Sequence, residues 1–373
     1  MKLKSIVLTT GIFPPDIGGP ASFIPILAQK LSQKNITVTV ITLSDKIEDD
    51  ANLPYKVIRI NRNIKKPFRD IIVIKEIVKA SKKSDLIFSN TLAFESVIAS
   101  IISRKKILQK IVGDIAWERA NTSGRFKGNL EDYQKGNLDL KSKFTNIYRN
   151  FAVKYSDMII TPSFYLKNIV TNWNYPEDKI KVIYNAVQFE ESNNVIEKKK
   201  YRIISVARLI PLKGIEMILK VLGKLDFDFE YVIVGDGKLK NKLEQIAKEF
   251  SVNTIFTGNL SKIEVANWLN SSDLFIQNSV HETMPHVILE SMENNCPILA
   301  SSVGGTPEVV HNSFNGLLFN HNDENELLEK IYLIKNDNKL REKLISNGRK
   351  FTKEFADIDK MVEKYIEIIE GMI

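Results

Sequence analysis

Residues 279–293 read Ser279-Val-His-Glu-Thr-Met-Pro-His-Val-Ile-Leu-Glu-Ser-Met-Glu293. Pro285 suits the first turn of a helix, because its missing N–H would have no intrahelical partner there. A helix that begins at Pro285 carries Glu290 on its second turn and leaves Glu282 in the preceding loop. The start of a helix offers unpaired N–H groups and the positive end of the helix dipole. The stretch therefore predicts a site for an anionic ligand at a helix N-terminus.

Two basic residues stand earlier in the chain, in Ala207-Arg-Leu-Ile-Pro-Leu-Lys-Gly214. Arg208 follows an apolar run that is typical of a buried strand, and ligand-binding groups of α/β sheets commonly lie where such a strand opens into a loop. A guanidinium can hold two phosphate oxygens, and Lys213 adds a point charge that helps a diphosphate to depart. We therefore predict a site for a sugar joined to a diphosphate. In this site Glu282 binds the sugar and Glu290 the ribose.

For any one of these residues the alternative is a solvated charge on a helix end or loop. Their joint arrangement favours the binding site. The single cysteine, Cys296, excludes a disulfide framework and a cysteine zinc cluster, and it is predicted to be a small buried residue. The four histidines show no zinc-binding spacing, so we expect no metal site.

The spacing Arg208-x4-Lys213 and Glu282-x7-Glu290, followed by Ser302-Val-Gly-Gly-Thr-Pro-Glu-Val309, resembles the donor-site signature of the retaining glycosyltransferases of family 4. The resemblance covers essentially the whole chain. It implies the GT-B fold, in which two Rossmann-like α/β domains with parallel sheets face a central cleft and a C-terminal helix crosses back to the N-domain. It also implies a front-side displacement without a metal ion, in which the leaving phosphate accepts the proton of the incoming hydroxyl.

The resemblance implies a set of donor-binding residues spread over both halves of the chain. This set is Gly18, Gly19, Arg208, Lys213, Gly235, Gly237, Thr283, Met284, Pro285, His286 and Glu290. The adjacent glycines 18 and 19 let backbone come close to a ligand, with a tight strand-to-helix turn as the alternative. Gly235-Asp-Gly237 lacks the third glycine of a dinucleotide-binding motif.

The second candidate region is Ile111-Val-Gly-Asp-Ile-Ala-Trp-Glu118. Asp114 is our candidate for the catalytic residue beside the reacting sugar, together with Glu282, Arg208 and Lys213. Many family 4 enzymes have histidine at the matching place, and this chain resembles a subset with a Gly-Asp-x-x-Trp-Glu motif. Trp117 is interpreted either as an apolar platform for sugar or acceptor or as a core residue with a satisfied N–H. Glu118 is a further acceptor-side candidate.

The chain has 373 residues, of which 43% are hydrophobic and 26% charged, so it is long enough for two domains with separate cores. Short apolar runs alternate with helical patterns, which predicts parallel-sheet α/β domains. We predict an N-terminal acceptor-binding domain over 1–188, a polar linker and hinge over 189–200, a C-terminal nucleotide-sugar domain over 201–355 and a closing helix over 356–373 that packs on the N-domain.

The basic residues are concentrated in the first half. Residues 1–190 carry 30 basic and 18 acidic residues, a net +12, whereas residues 191–373 carry 23 and 27, a net −4. The segment 65–83 is apolar on one side with seven basic residues, and it either lies on an anionic membrane or packs as an ordinary helix with a basic edge. Residues 119–150 are interpreted as a long polar connection, either a mobile acceptor-side lid or loose surface.

These patterns together predict a cytoplasmic protein that spans no membrane, with peripheral contact to an anionic membrane as an open possibility. The predicted activity is transfer of a hexose-type sugar from a nucleotide diphosphate sugar, UDP-sugar favoured over GDP-sugar, to an acceptor hydroxyl of a glycan or lipid-linked intermediate in surface-glycan synthesis. No cofactor and no nucleic-acid partner are expected. The alternatives are a sugar-nucleotide epimerase on the same fold, and a non-catalytic binder of sugar nucleotides or nucleic acid.

Overall fold

The computed structural model describes residues 2–16, 18–46, 48–190, 192 and 194–373. The chain forms two compact units. One consists of the residues up to Ile183 together with Asp359–Ile373, and the other is Tyr184–Ile358.

The first unit is built on a seven-stranded sheet in which every adjacent pair of strands is parallel. Its strands are β1 (Ser5–Thr10), β2 (Thr37–Ser44), β3 (Lys56–Asn61), β4 (Leu86–Ser89), β5 (Lys106–Lys110), β6 (Met158–Thr161) and β7 (Ile180–Val182). The spatial order is β3-β2-β1-β4-β5-β6-β7. The order reverses between β1 and β4, which creates a crevice at the carboxyl ends of these strands where α/β proteins bind ligands.

Helices cover both faces of this sheet. They are α1 (Gly19–Gln33), α2 (Phe68–Ser81), α3 (Ala93–Ser103), α4 (Ile115–Thr122), α5 (Leu130–Lys135), α6 (Leu140–Lys154) and α7 (Phe164–Thr171). In α1 the buried residues, among them Phe23, Ile24, Leu27 and Leu31, recur every three or four positions. This spacing places them on one side of the helix, which packs on the sheet.

The second unit repeats the same architecture with a six-stranded parallel sheet. Its strands are β8 (Tyr201–Val206), β9 (Phe229–Val234), β10 (Thr254–Gly258), β11 (Leu274–Gln277), β12 (Ile298–Ser301) and β13 (Leu317–Phe319), in the order β10-β9-β8-β11-β12-β13. Its helices are α8 (Ile215–Leu222), α9 (Lys240–Glu249), α10 (Lys262–Asn270), α11 (His286–Glu293), α12 (Thr306–Val309), α13 (Glu324–Asn336) and α14 (Asn338–Phe355). The prediction of two parallel-sheet Rossmann-like domains is confirmed.

The last helix, α15 (Ile358–Met372), belongs to the first unit from Asp359 onward. The ring of Tyr365 lies 5.7 Å from the rings of both Phe23 and Phe88, which come from α1 and β4. The backbone N–H of Leu3 donates to the carboxylate of Glu370 over 3.0 Å. The end of the chain thus completes the core of the unit in which the chain began.

The segment 119–150 is not the loose connection that its polar composition predicts. It contains the end of α4, all of α5 and most of α6. Leu130 and Tyr133 are buried. The side chains of Asn129 and Asp139 cap α5 and α6, because each accepts a hydrogen bond from a backbone N–H of the first turn. These caps and a few buried anchors give the segment regular structure despite its polarity.

The predicted linker 189–200 lies partly outside the described residues, at Glu191 and Asn193. Its other residues are attached to the second unit. Ser192 Oγ donates to Asn267 over 3.1 Å, and Ile196 N donates to Ser271 Oγ over 2.8 Å. The chain passes between the units at Ile183 and again at Ile358.

None of the helices among the described residues is both long enough and apolar enough to cross a bilayer.

Candidate active site

Two loops that carry predicted site residues leave neighbouring strands of the second sheet. Arg208 follows β8 and Glu282 follows β11, and these two strands pair directly at the point where the strand order reverses. Lys213 Nζ forms an ion pair with the Glu282 carboxylate, to which Ser279 Oγ also donates a hydrogen bond of 2.7 Å. The structure therefore brings Lys213 and Glu282, both predicted site residues, into contact at the carboxyl ends of the strands.

The Arg208 side chain differs from that of Lys213 in having no hydrogen-bond or ion-pair partner among the described residues. Its side chain is exposed. Within the described part of the chain it forms no hydrogen bond and no ion pair, although Lys213 lies in the same loop and is paired. Its guanidinium donors are available to an anionic ligand, for which this group is well shaped.

Gly235 and Gly237 allow the loop after β9 to lie against the loop that carries Arg208. Gly235 has φ +127°, and a Cβ added there would lie 2.0 Å from the carbonyl oxygen of Ala207. A Cβ on Gly237 would lie 2.5 Å from the carbonyl oxygen of Leu209. Leu209 N donates to Asp236 O over 2.9 Å. The two glycines thus position the backbone beside Arg208, and any side chain there would force the loops apart.

A second close backbone approach supports Glu282. Gly304 has φ +54°, and a Cβ on it would lie 2.1 Å from the carbonyl oxygen of Glu282. Gly305 N donates to the same oxygen over 2.8 Å. The glycine pair after β12 therefore fixes the backbone of Glu282. In the sequence analysis Gly304 and Gly305 appear only as part of the stretch 302–309. Two adjacent glycines just after a strand could have predicted a close approach of two backbone segments.

Sequence reasoning also missed Ser279 and Asn278 in the loop after β11. Ser279 contacts Glu282 as described above, and Asn278 Oδ1 lies 3.0 Å from His321 Nδ1. Burial lowers the pKa of His321. No spacing pattern distinguishes these two residues, because their importance depends on contacts between loops that are distant in sequence.

Glu290 lies on the second turn of α11 and lines a pocket in the second unit. Apolar side chains form much of the lining, among them Val206, Leu260 and Leu269. Lys262 is also part of it. Burial raises the pKa of Glu290, and the positive charge of Lys262 opposes this shift. A carboxylate at one side of an apolar pocket matches the needs of a nucleoside, whose base is flat and whose ribose offers hydroxyls.

The four residues before and at the start of α11 have different surroundings. The helix begins at His286, and Pro285 is its N-cap rather than its first residue, so the predicted start is displaced by one position. Met284 is buried and its sulfur accepts a hydrogen bond from Asn185 N. His286 Nε2 lies 3.0 Å from Asn185 Nδ2. These contacts tie the loop to the core, whereas Thr283 is partly exposed.

Asp114 is placed differently from the sequence-based expectation. Its side chain is fully buried and caps α4, where Oδ1 accepts from Ala116 N over 2.9 Å. Its Oδ2 accepts from Gln134 Nε2 over 3.0 Å and forms an ion pair with Arg149. The carboxylate therefore holds α4, α5 and α6 together. This geometry does not support direct contact with a substrate.

Trp117 is a core residue. Its side chain is buried and its Nε1 donates to Gly128 O over 3.2 Å, which is the arrangement that the core interpretation describes. Glu118 is exposed, and its carboxylate lies beside Gly113, where an added Cβ would be 2.5 Å from Glu118 Oε1.

Gly18 and Gly19 form the N-terminus of α1 in the first unit. Gly18 has φ +152°, and Gly19 has open space where a Cβ would project. Two arginines, one in β3 and one just after it, contact the loop that precedes α1. Arg59 donates to Pro14 O over 2.9 Å, and Arg62 is paired with Asp16. The Arg62 guanidinium lowers the pKa of Asp16 through a hydrogen bond.

Among the described residues there is no group of three or more His, Cys, Asp or Glu side chains that could hold a metal ion.

Comparisons with known proteins agree with this arrangement. The family model described as Glycosyltransferase Family 4 matches residues 17–191, and the model described as Glycosyl transferases group 1 matches residues 187–351. An uncharacterized glycosyltransferase of Methanocaldococcus jannaschii is 29% identical to this chain, over 94% of each protein. A Campylobacter jejuni enzyme is 26% identical over 51% of this chain and 54% of its own length. Its name is GalNAc-α-(1→4)-GalNAc-α-(1→3)-diNAcBac-PP-undecaprenol α-1,4-N-acetyl-D-galactosaminyltransferase.

Solved structures show the same fold. Sucrose-phosphate synthase from Thermosynechococcus elongatus superposes with a TM-score of 0.80 at 17% identity, covering 99% of both chains. Anabaena HepE in complex with UDP and glucose superposes with a TM-score of 0.76 at 18% identity, covering 99% of this chain and 100% of its own. Because the two family matches together run from residue 17 to residue 351, the chain is a glycosyltransferase of the family 4 and group 1 type with the GT-B fold.

Proposed function

We propose that this glycosyltransferase moves a hexose-type sugar from a nucleotide diphosphate sugar to an acceptor hydroxyl with retention of the anomeric configuration. One observation carries the proposal. The guanidinium of Arg208 is exposed and has no partner in the part of the chain that the structure describes, and it lies at the strand-order reversal of the second sheet, in the loop that also carries Lys213. An arginine in this place is suited to a diphosphate.

Different residues of the second unit bind different parts of the donor. Arg208 and Lys213 bind the diphosphate, and Glu282 exchanges part of its contact with Lys213 for hydroxyls of the sugar. Glu290 binds the ribose hydroxyls, with the base in the adjoining apolar pocket. The support for this division is the ion pair of Glu282 and the position of Glu290 in the pocket wall.

The reaction proceeds by front-side displacement. The bond between the anomeric carbon and the diphosphate oxygen breaks, and the acceptor oxygen forms its bond to the same face of that carbon. The proton of the acceptor hydroxyl passes to the departing diphosphate oxygen. Arg208 and Lys213 stabilise the negative charge that develops on this oxygen, so the step needs no metal ion.

Asp114 takes part as a positioning residue. Its ion pair and cap hold α4, α5 and α6 in place at the carboxyl end of the first sheet. Gly18 and Gly19, at the N-terminus of α1, stay in the proposal as candidate ligand-binding residues of the first unit.

A UDP-sugar donor and a lipid-linked acceptor fit the relatives best. The structures of Anabaena HepE contain UDP with glucose or UDP-glucose. The names of two Campylobacter jejuni relatives describe acceptors joined through a diphosphate to undecaprenol. The net +12 of residues 1–190 suits an anionic acceptor and peripheral contact with a membrane that contains it.

The experiment is an assay of purified protein with α-linked UDP-, GDP- and ADP-sugars, with and without an undecaprenyl diphosphate saccharide. The expected product is an α-glycoside that forms only when acceptor is present. A β-glycoside would contradict retention. Conversion of the donor without acceptor would instead indicate an epimerase or hydrolase.

A further inference from the structure

Asn278 is a fully buried polar residue that directly follows β11. Its Nδ2 donates to Gly214 O over 3.2 Å and lies 3.0 Å from Met217 Sδ. Its Oδ1 lies 3.0 Å from His321 Nδ1. A buried amide needs such partners, because an unpaired polar atom in the interior costs free energy. The side chain thus joins the loop after β8, the first turn of α8 and the residues that follow β13.

These partners determine the orientation of the Asn278 amide. A backbone carbonyl only accepts hydrogen bonds, so the atom that faces Gly214 O is the amide nitrogen. The amide oxygen then faces His321, and Nδ1 of that ring carries a proton. A side chain at this position that could not donate would leave the amide oxygen unpaired inside the protein. His321 therefore orients Asn278, and Asn278 in turn holds Gly214.

Gly214 connects this contact to the candidate donor site. It follows Lys213 directly, ends the short 3-10 turn Pro211–Lys213 and is the N-cap of α8. Its φ is +58°, and a Cβ added there would lie 2.2 Å from Asn278 O, so the two loops are in close backbone contact. A displacement of Gly214 would therefore also displace Lys213, which is paired with Glu282.

The loop after β8 is held differently at its two ends. At the Arg208 end, Leu209 N donates to Asp236 O over 2.9 Å. This contact comes from the loop after β9, and β8 lies between β9 and β11 in the sheet. At the Lys213 end, the Asn278 amide holds the backbone from the β11 side. The contact with Asn278 therefore acts on one end of the loop.

We propose that His321 is a positioning residue of the donor site and acts on Lys213 through the Asn278 amide. The inference rests on the proposed function, in which Lys213 binds the donor diphosphate. It adds to that function a residue from the segment after β13, and it limits the effect of this residue to the Lys213 end of the loop. A charged group binds less well when it is displaced, because the strength of its hydrogen bond depends on distance and angle.

The test is isothermal titration calorimetry of the full chain with UDP, GDP and ADP. His321→Phe keeps an aromatic ring but removes the Nδ1 donor. We expect it to weaken binding of the nucleoside diphosphate that the wild type prefers by about fivefold or more. In a Lys213→Ala protein the same change should weaken binding by less than about twofold, because the group that it displaces is gone. In an Arg208→Ala protein it should keep its full effect.

Two further variants support this experiment. His311→Phe is the matched control, since His311 is an exposed histidine of the same unit, and it should bind like the wild type. Asn278→Asp keeps an acceptor for His321 but cannot donate to Gly214 O, so it should give the same pattern as His321→Phe and replaces it if that protein does not fold. Thermal unfolding without nucleotide checks that each protein is folded at the temperature of the titration.

Different results would contradict the inference and the donor site. Equal weakening by His321→Phe in the wild type and in the Lys213→Ala protein would overturn the inference. Wild-type affinity in both His321→Phe and Asn278→Asp would do the same, and so would an effect that also disappears in the Arg208→Ala protein. If Lys213→Ala bound as tightly as the wild type, or if the wild type bound none of the three nucleotides, the donor site itself would be contradicted.

Discussion

Arg208 and Asp114 illustrate how differently two charged residues can be used. The guanidinium of Arg208 is exposed and has no partner among residues 2–16, 18–46, 48–190, 192 and 194–373. The carboxylate of Asp114 is fully buried, where it caps α4, accepts a hydrogen bond from Gln134 and pairs with Arg149. A charge that the fold already neutralises has little capacity left for a ligand. We therefore propose that donor activation depends most directly on Arg208.

Replacing Arg208 by alanine should lower turnover by about 100- to 1000-fold, the usual effect of removing a group that stabilises developing negative charge. The free energy of unfolding should change by less than about 0.5 kcal/mol, because the side chain makes no contact that the fold needs. Lys350→Ala, at another exposed cation, is the control for general loss of charge. Initial rates and urea unfolding measure both effects, and wild-type turnover in the Arg208 variant would refute this role.

Glu290 should make stability depend on pH. Burial raises its pKa, so the folded state keeps the proton to a higher pH than the unfolded chain, whose glutamates titrate near about 4.3. Stability of the wild type therefore falls as pH rises from about 4.3 through the raised pKa, and the loss persists above it. Glu290→Gln should be more stable than wild type at neutral pH and equal to it near pH 4.

The measurement is the unfolding midpoint of both proteins across this pH range without nucleotide. Glu329→Gln supplies the control, since it removes a carboxylate from an exposed position. A constant difference between Glu290→Gln and wild type would mean that burial of the charge is not its cause.

The sequence was a good guide to the residues of the proposed donor site. It was a poorer guide to the contacts that the candidate residues make. The pairing of Lys213 with Glu282 follows from two neighbouring parallel strands, which the apolar runs already indicated. The burial of Asp114 could not be read in the same way. It depends on Arg149, far along the chain in a segment whose polarity suggested loose surface.

At the scale of elements, Asp114 caps α4 and connects it to α5 and α6. Asp114→Asn keeps a capping oxygen but leaves the buried Arg149 without its counter-ion, which should cost about 3–5 kcal/mol of unfolding free energy. Asp139→Asn is the matched control, because Asp139 also caps a helix but is much more exposed, and its change should cost much less than that of Asp114.

Denaturant unfolding of both variants and of Asp114→Asn/Arg149→Gln measures this contribution. The double variant should recover part of the loss, since it leaves no unpaired charge. A stable Asp114→Asn protein with greatly reduced turnover would indicate direct participation in catalysis instead.

Helix α15 contributes Tyr365, whose ring stabilises the folded state and whose hydroxyl destabilises it. The Tyr365 ring is enclosed by Phe23 and Phe88, whereas its hydroxyl is buried with no hydrogen-bond partner among the described residues. Tyr365→Phe should therefore leave stability unchanged or raise it by up to about 1–3 kcal/mol, and Tyr365→Ala should cost about 3–5 kcal/mol.

Tyr231 is a suitable comparison because it is equally buried but its hydroxyl bonds Ser205 Oγ over 2.8 Å. Tyr231→Phe should lose about 0.5–1.5 kcal/mol in the same unfolding experiment. If Tyr365→Phe were destabilised to the same extent, its hydroxyl would have a partner in solution.

The strands of this protein were predictable because apolar runs of four to six residues alternate with helical patterns. The apolar runs Leu274–Gln277 and Ile298–Ser301, for example, form β11 and β12. Helices α5 and α6 were missed since their caps, Asn129 and Asp139, stand among other polar residues and only a few side chains are buried. Short amphipathic patterns within a polar stretch are weak evidence for a helix until their contacts are known.

At the scale of the whole molecule, the two units have similar sheets but different functional residues and different net charge. The second unit contains Arg208, Lys213, Glu282 and the pocket of Glu290, while the first unit has most of the excess positive charge. The family matches divide the chain in nearly the same place. This distribution is the basis for assigning the donor to the second unit and the acceptor to the first.

The most direct test of this account is a thermal-shift titration of the wild type with UDP-, GDP- and ADP-sugars, since a ligand that binds the folded state raises the unfolding temperature according to its affinity. We predict that one nucleotide class, with UDP-sugars favoured, gives a saturable rise that Arg208→Ala weakens and Lys350→Ala leaves intact. The absence of a shift with every nucleotide sugar, or an equal shift in wild type and Arg208→Ala, would contradict the assigned donor site.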